Sequence, residues 1–356
     1  MKILHILHFG NKDKRNGVIE AVLSLACAQR GAGAEVLVAS ASRNASVDSA
    51  EYQFFGNKRD LQSLLDTFKP DIAHVHDMYW PQMPMVAYCL KHSDIPYLLT
   101  FHGGASKVAN RQKWLKKKAA RILLFNYVIR NARHVVYLTE GERRSSIARR
   151  TNPHSLILPN GIALPDEVSG HTPQPPYTIV FMSRMDYHGK SLDLLGQAIE
   201  QLQGELAGKA RFRFYGYTYD DTYKLFDRFG DFAKYCGYVQ DRAKEQALAG
   251  ADIMILPSRS EGMPVSILEG LAHGLPCIVT PQTNMADEIQ KSGCGWVCQL
   301  SAQSIADTIR QAVSDYDTNF KTLRNNARRA AQKYSWPNVA ALSLDFYSQT
   351  LSHSQK

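Results

Sequence analysis

The chain has 356 residues, of which 44% are hydrophobic and 21% are charged, and its formal net charge is +9. This length predicts about two domains, and the apolar fraction excludes wholesale disorder and collagen-like structure. No apolar run reaches about 18 residues, so no transmembrane helix is expected. The six cysteines are too few and too scattered for a disulfide framework. We therefore expect a soluble, cytoplasmic protein in a reducing compartment.

Apolar, β-branched runs alternate with helix-length segments throughout the first half of the chain. The predicted strands are KILHILHF, AEVLVAS, DIAHVHD, PYLLTFH and HVVYLT. Such near-continuous apolar runs are typical of parallel strands that are covered on both faces. The segment GVIEAVLSLACAQRGAG is a predicted helix that opens at Gly17, and the backbone amides of Asn16 and Gly17 are candidates for contacting a phosphate or another substrate group.

Two polar side chains follow predicted strands of the first half. His102 ends a strand in TFHGG, and Asp77 ends another in HVHDMYW. Ligands of open α/β sheets bind beyond the carboxyl ends of the strands, so both residues are candidates for binding a substrate hydroxyl. A lone histidine is more often structural, and both interpretations of His102 stay open.

The positive charge is concentrated in the first half. Residues 1–165 contain 23 Lys+Arg and 12 Asp+Glu, and the segment 107–133 is basic with an apolar side. This segment is predicted to bind either an anionic membrane surface or an anionic substrate. The alternative is that it binds neither and is simply a helix with one face in water. Nucleic acid is not an expected partner, because the basic residues belong to no known nucleic-acid-binding motif.

The second half repeats the alternation of strands and helices. Its predicted strands are YTIVFMS, RFRFYGY, DIMILP, PCIVTP and GWVCQL, and the stretch PDEVSGHTPQPP before them is a predicted linker. We expect two doubly wound, Rossmann-like α/β domains, 1–165 and 166–337, that face a central cleft. A C-terminal helix, 338–356, is expected to return to the first domain.

Two loops of the second domain carry the charges of a candidate site. In FMSRMDYHGKSLDLL, Arg184 follows a strand and Lys190 precedes a helix, and two such cations can neutralise a diphosphate. In ADIMILPSRSEGMPVSILEGLAHGLPCIVT, a helix begins near Pro264. The candidate ligands of this second loop are the amides of Gly262, Met263 and the neighbours of Pro264, together with the carboxylates of Glu261 and Glu269, which can bind diols.

The Glu261-x7-Glu269 pattern followed by GLAHGLPCIVT resembles the retaining glycosyltransferases of family GT4, which have the GT-B fold. The resemblance implies that Glu269 holds the ribose of a nucleotide, that Glu261 contacts the donor sugar, and that Arg184 and Lys190 grip the diphosphate. The family commonly has glycine where this chain has serine before Arg184 and after Lys190, and the loop before Lys190 is longer, which weakens the assignment of Lys190.

The same resemblance extends to other segments. It implies that His102 lies near the reacting centre, that Asp77, Asn16 and Gly17 belong to an acceptor or phosphate loop, and that the backbone of Tyr238 and Val239 reads the base. In the first loop, however, Asn16 and Ile19 depart from the family's Gly and Glu, which puts the role of this loop in doubt.

The implied function is transfer of a hexose from a nucleotide-diphospho-sugar, with UDP-sugars favoured, to a hydroxyl of a glycan or lipid-linked acceptor in surface polysaccharide synthesis. Neither a cofactor nor a metal is expected, because Arg184 and Lys190 supply the positive charge. Two alternatives stay open: a sugar-nucleotide epimerase of the same fold and a non-catalytic nucleotide-sugar-binding protein. An NAD-dependent enzyme is disfavoured, since no G-x-G-x-x-G follows a strand.

Overall fold

The computed structural model describes residues 1–9, 17–43, 47–48, 50–77, 80–103, 125–165, 172–218 and 220–352. The chain forms two compact units, which are unit 1 (Met1–Gly161 with Trp336–Lys356) and unit 2 (Ile162–Ser335). The sequence predicted the end of the first domain at residue 165 and its resumption at residue 338, a few residues later than Gly161 and Trp336. A Cβ on Gly161 would lie 2.2 Å from the Trp336 indole, so the chain leaves unit 1 and re-enters it at one tightly packed point.

Unit 1 is built on a seven-stranded parallel sheet with the strand order β3-β2-β1-β4-β5-β6-β7. Its strands are β1 (Lys2–Leu7), β2 (Glu35–Ser40), β3 (Gln53–Phe54), β4 (Ile72–His76), β5 (Tyr97–Thr100), β6 (His134–Tyr137) and β7 (Ser155–Ile157). Its described α-helices are α1 (Gly17–Gly31), α2 (Lys58–Phe68), α3 (Met83–His92), α4 (Asn126–Asn131), α5 (Glu140–Ser145) and, from the C-terminal segment, α11 (Trp336–Ser352).

Both faces of this sheet are covered by helices, which is why its central strands are mostly apolar. On one face, Leu4 and Ile6 of β1 join the core formed with α2 and α3. On the other face, Ile3 and Leu7 pack with α1 and α11. Since successive side chains of a strand point to opposite faces, His5 lies on the α1 and α11 face.

Unit 2 is built on a six-stranded parallel sheet with the order β10-β9-β8-β11-β12-β13. Its strands are β8 (Tyr177–Met182), β9 (Ala210–Tyr215), β10 (Ala233–Tyr235), β11 (Ile253–Leu256), β12 (Cys277–Val279) and β13 (Gly295–Val297). Its described α-helices are α6 (Leu192–Leu206), α7 (Asp241–Ala249), α8 (Val265–Ala272), α9 (Ala286–Ser292) and α10 (Ala302–Gln332).

Each sheet runs outward from its first strand in both directions. In unit 1 the first strand, β1, lies between β2 and β4, and in unit 2 β8 lies between β9 and β11. The connections therefore reverse direction beside β1 and beside β8, and such switch points are where open α/β sheets bind ligands. The switch point of unit 2 lies at the ends of β8 and β11, and that of unit 1 at the ends of β1 and β4.

The predicted α/β class, with two domains that are each built on a parallel sheet, is confirmed. The ten predicted strands are all present, while β3, β7 and β10 are not among them. All six cysteines are free thiols. Within the described part of the chain, no helix combines the length and the apolar character that crossing a bilayer requires.

Candidate functional site

The loop after β8 carries the first two predicted site residues. Arg184 donates from Nη2 to Oδ2 of Asp186 at 2.8 Å, and the amide of Gly189 donates to Oδ1 of the same carboxylate at 2.8 Å. Burial raises the pKa of Asp186, but these hydrogen bonds outweigh it and hold the pKa below its usual value. The loop is thus tied to an ionised carboxylate and keeps Arg184 half exposed at the switch point.

Lys190, at the end of this loop, forms an ion pair with Glu261 of the loop after β11. Each of the two side chains is only 14% exposed, so the pair is largely shielded from water. The loop of Glu261 is held in turn by the side-chain amide of Asn284, which donates to the carbonyls of Glu261 and Gly262. The structure therefore brings together a cation and an anion that lie 71 residues apart in the sequence.

Arg259, in the loop after β11, links this loop to the loop after β8 and to the start of α6. Its guanidinium donates to both carboxylate oxygens of Asp193, at 2.7 and 2.8 Å, and to the carbonyl of His188 at 2.6 Å. Burial raises the pKa of Asp193, yet the guanidinium and a backbone amide bring it below its usual value. Sequence reasoning missed this bidentate pair, because nothing local marks Asp193 as the partner of a residue 66 positions away.

Glu269 lies on α8 and accepts a hydrogen bond from Nζ of Lys244, on α7, at 2.6 Å. Burial alone lowers the pKa of Lys244, but the carboxylate outweighs it, so the pKa lies above its usual value. Glu261 and Glu269 are therefore each paired with a lysine. The sequence did not identify Lys244, which no motif contains.

The start of α8 differs slightly from the prediction. The helix begins at Val265, and Pro264 is the residue that precedes it rather than part of its first turn. Met263 and Pro264 are buried, while Gly262 is partly exposed. On the β10 side, Tyr238 is 57% exposed and its ring meets that of Tyr217 edge-on, with 6.3 Å between the ring centroids. Val239 is partly exposed beside it.

Two buried hydroxyls flank the paired loops. Ser191, between Lys190 and α6, and Ser258, at the end of β11, are fully buried. Among the residues that the structure describes, neither Oγ has a hydrogen-bond partner. Ser191 also has φ +57°, in the left-handed region that favours glycine. A serine is thus held in a glycine-like conformation where the resembling family commonly has glycine.

The chain contains one Asp-x-Asp triplet, 315–317, which sequence reasoning missed and which in another glycosyltransferase fold holds a metal. Here Asp315 accepts from Nε1 of Trp296 at 2.8 Å, and Asp317 accepts from the Tyr177 hydroxyl at 2.5 Å. Both carboxylates therefore tie α10 to the sheet of unit 2. Their hydrogen bonds give this triplet a structural role.

In unit 1, the predicted residues lie around the end of β5. His102 has φ +47° and Asp77 has φ +69°, and the amide of Asp77 donates to the Thr100 carbonyl at 2.8 Å. Gly17 is the first residue of α1, as predicted. Asn16 lies outside the described residues, as do residues 107–124 of the basic segment 107–133.

His102 belongs to a group of histidines at the switch point of unit 1. Its Nε2 lies 3.2 Å from Nδ1 of His76, and Nε2 of His76 lies 2.9 Å from Nδ1 of His5. His74 bonds instead to the Tyr347 hydroxyl and to Thr100. Desolvation lowers the pKa of His5 and of His102 to about 4, and it places the pKa values of His74 and His76 well below the usual value. All four rings are therefore neutral at pH 7.

Two family models match the chain on either side of the unit boundary. Residues 15–164 match the family described as Glycosyltransferase Family 4, and residues 176–315 match the family described as Glycosyl transferases group 1. Together the two matches span most of both units.

Curated relatives agree with the family matches. An uncharacterised glycosyltransferase of Methanocaldococcus jannaschii is 26% identical over 176 residues, which cover 48% of this chain and 44% of that protein. A putative teichuronic acid biosynthesis glycosyltransferase, TuaC of Bacillus subtilis, is 26% identical over 269 residues, which cover 71% of this chain and 65% of that protein. The matched region thus spans about half to two thirds of these relatives.

Solved structures agree with the fold. The Anabaena protein HepE in complex with UDP superimposes with a TM-score of 0.78 at 15% identity, over 98% of this chain and 100% of that one. At this identity the likeness shows the fold alone. With both family matches and the curated relatives, it establishes that the chain belongs to the GT4-type glycosyltransferases and has their GT-B fold.

Proposed function

We propose that the protein transfers a hexose from a nucleotide-diphospho-sugar to a hydroxyl of a glycan or lipid-linked acceptor, with retention of the anomeric configuration. The observation that carries the proposal is the ion pair of Lys190 and Glu261 at the switch point of unit 2, with Arg184 on the same loop. Cations at this place in a doubly wound sheet suit the charge that a departing diphosphate develops.

In the proposed donor complex, the diphosphate competes with Glu261 for the ammonium group of Lys190. Once released, Glu261 accepts a hydrogen bond from the donor sugar, while Arg184 exchanges Asp186 for a phosphate oxygen. Glu269 accepts the ribose hydroxyls beside Lys244. The backbone N–H groups of Gly262 and Met263 face the phosphates, and the backbone of Tyr238 and Val239 contacts the base.

The proposed reaction proceeds on one face of the sugar. The bond between the anomeric carbon and the phosphate oxygen breaks, the acceptor oxygen bonds to that carbon, and the acceptor's proton passes to the leaving phosphate. Arg184, Lys190 and the start of α8 offset the developing negative charge, so the proposed chemistry requires neither a metal nor a cofactor. Unit 1 supplies the acceptor side through His102, Asp77 and the loop at residues 16–17.

A UDP-sugar is the favoured donor, which agrees with the HepE structures in complex with UDP and with UDP-glucose. A role in surface polysaccharide synthesis agrees with the name of the Bacillus relative TuaC. We further propose a cytoplasmic location, with segment 107–133 as the contact to an anionic membrane face. This last point rests on the basic sequence alone.

A thermal-shift screen against UDP-, GDP- and ADP-sugars tests the donor, because a ligand that binds only the folded state raises the melting temperature. The expected result is a rise with one nucleotide class and a smaller rise with its free diphosphate. Analysis of the products formed without an acceptor then separates this function from the epimerase alternative. No rise with any of the sugars, at saturating concentration, contradicts the proposal.

A further inference from the structure

The histidines of unit 1 form a directed chain that leads from α11 to His102. Gln29 of α1, His5 of β1 and His76 of β4 lie between the two ends, and Gln29, His5 and His76 are buried. Each contact along the chain is a hydrogen bond between 2.7 and 3.2 Å. The direction of these bonds decides which nitrogen of His102 carries its proton.

The carbonyl of Ala340 fixes the direction of the hydrogen bonds at the α11 end of the histidine chain. The hydroxyl of Ser343 donates to the carbonyl of Ala340 at 2.7 Å, so its oxygen is left to accept from its other neighbour. That neighbour is Nε2 of Gln29, at 2.8 Å. Since the carbonyl can only accept, the amide of Gln29 has its NH₂ toward Ser343 and its Oε1 toward His5.

From this end, the proton positions of all three imidazoles follow. Oε1 of Gln29 accepts only, so His5 donates to it from Nε2, at 2.8 Å. A neutral imidazole has one donor and one acceptor, so Nδ1 of His5 accepts from Nε2 of His76. By the same rule, Nδ1 of His76 accepts from Nε2 of His102, and Nδ1 of His102 is left with an unshared electron pair.

We propose that Gln29, His5 and His76 are positioning residues that hold His102 as the Nε2–H tautomer, so that its Nδ1 accepts a hydrogen bond from a substrate hydroxyl. The inference rests on the proposed function, which brings a polyhydroxylated substrate to this unit. Among the described residues, none hydrogen-bonds to Nδ1 of His102, and the backbone there is held by the Gly103 amide, which donates to Glu142 at 2.7 Å. A substrate oxygen that can only accept a hydrogen bond, such as a carbonyl or ether oxygen, is disfavoured at this nitrogen.

The same cluster also has the spacing of a metal site, since His5, His74 and His76 each place one nitrogen within 4.8 Å of the others. Both nitrogens of each ring, however, already have hydrogen-bond partners. His74 is held by Tyr347 at 2.6 Å and by Thr100 at 2.7 Å, and the other two belong to the directed chain. A bound ion would have to break at least two of these bonds in a buried site, since Nδ1 of His5 and Nε2 of His76 share one, so the hydrogen-bonded histidine chain accounts for the cluster better than a metal does.

The tautomer of His102 can be measured directly. Long-range ¹H–¹⁵N correlation spectra of the full chain, labelled with ¹⁵N-histidine at pH 7, distinguish a protonated from an unprotonated ring nitrogen, and His102→Gln assigns the signal. We expect that Nε2 of His102 is protonated and that its Nδ1 is unprotonated. A wild-type spectrum with the proton on Nδ1 overturns it, whether or not any variant folds.

Gln29→Met removes the acceptor at the fixed end while keeping the length of the side chain. His5, His76 and His102 can then reverse together, so the expected spectrum shows both tautomers of His102. His92→Gln, which changes an exposed histidine on α3, is the matched control and leaves the His102 signals unchanged. If folded Gln29→Met keeps the wild-type tautomer of His102, the histidine chain is only structural, and this result contradicts the inference.

A kinetic measurement completes the test with the nucleotide-sugar that the thermal-shift screen identifies. The loss of one hydrogen bond predicts a kcat about tenfold lower for Gln29→Met, with the donor KM little changed. If no nucleotide-sugar binds, the proposed function fails while the spectra still decide the tautomer. If transfer occurs with the wrong tautomer at His102, this inference fails and the proposed function stands.

Discussion

At the scale of single residues, the candidate donor site is a set of charges that are already paired. Lys190 is paired with Glu261, Lys244 with Glu269, and Arg184 with Asp186. Removing one partner of a shielded pair leaves the other without compensation, which destabilises the fold as well as the site. For the two shielded lysine pairs, neutral variants of similar shape, with stability measured beside binding, are therefore needed to assign roles, whereas Arg184 is half exposed and can be truncated.

Glu269→Gln keeps the shape of the side chain and one hydrogen-bond acceptor but removes the negative charge. If the carboxylate holds the ribose, affinity for the nucleotide-sugar falls at least about tenfold, because hydrogen bonds to charged groups contribute about 1.5–3 kcal/mol. Isothermal titration calorimetry measures this change. Glu245→Gln, which removes the partner of His273 on the adjacent helix, is the control and keeps wild-type affinity. Equal affinities for the two variants refute the assignment.

Arg184→Ala tests the proposal that Arg184 acts on the leaving diphosphate. Loss of one fixed donor at a developing charge commonly lowers turnover by about 100-fold or more, and the same is expected here. Steady-state transfer rates measure it, and Arg228→Ala, which removes a surface partner of Glu200, serves as the control. Turnover within a few-fold of wild type would show that Arg184 does not act on the diphosphate.

The sequence identified the motif residues of the site but not their partners. Glu261, Glu269, Arg184 and Lys190 stand in recognisable loops, whereas Lys244 is an ordinary helix residue. Its role depends on α7 packing beside α8, which no local pattern encodes. The histidine chain was missed for the same reason, because its members come from two strands, two helices and the loop after β5.

At the scale of elements, Gly216 sets how closely the end of β9 approaches the loop of Arg184. A Cβ at this position would lie 1.7 Å from the carbonyl oxygen of Ser183, which is backbone and has little freedom to move. The Gly216 amide also donates to the Gly237 carbonyl at 3.0 Å, so the glycine is held from the other side as well. Glycine is therefore required by close approach rather than by its own backbone angles.

Gly216→Ala is expected to lower the free energy of unfolding by about 2 kcal/mol, the usual cost of forcing a methyl group into a packed site. Gly204→Ala is the paired control, because its Cβ on α6 would meet nothing within 4 Å. That variant should raise the free energy of unfolding by about 0.5 kcal/mol, since alanine is the better helix former. Urea unfolding of both variants gives the comparison. Equal stabilities would mean that the Ser183 carbonyl moves without cost.

The elements that the sequence predicted well were those with long apolar runs. Strands such as β1 and β8 are covered on both faces, so nearly all of their residues are buried and most are apolar, which makes the pattern clear. The two-residue β3 and the three-residue β7 lack that signal, because each is short and partly exposed. Their pairing depends on the neighbouring strands more than on their own residues.

At the scale of the whole molecule, the two units share one strand order but differ in what lies at the switch point. In unit 2 that place holds charged side chains in ion pairs, and in unit 1 it holds neutral imidazoles in hydrogen bonds. The alternation of strands and helices predicted two parallel sheets, but the strand order itself was implied only by the family resemblance. Local periodicity does not encode which strands become neighbours.

The four clustered histidines, of which His102 is partly exposed and the other three are buried, predict how the stability of the protein depends on pH. Their pKa values are lowered in the folded state, to about 4 for His5 and His102, because burial disfavours the charged rings. The unfolded chain therefore binds more protons below pH 6.5, and the free energy of unfolding falls from there toward pH 4, by at most about 1.4 kcal/mol per pH unit for each histidine. Burial raises the pKa of Glu142, so this carboxyl has the opposite effect on the free energy of unfolding, but it is a single group against four histidines. Urea unfolding at pH 7, 6 and 5 measures the slope, and a free energy that stays constant over this range contradicts the neutral histidine cluster.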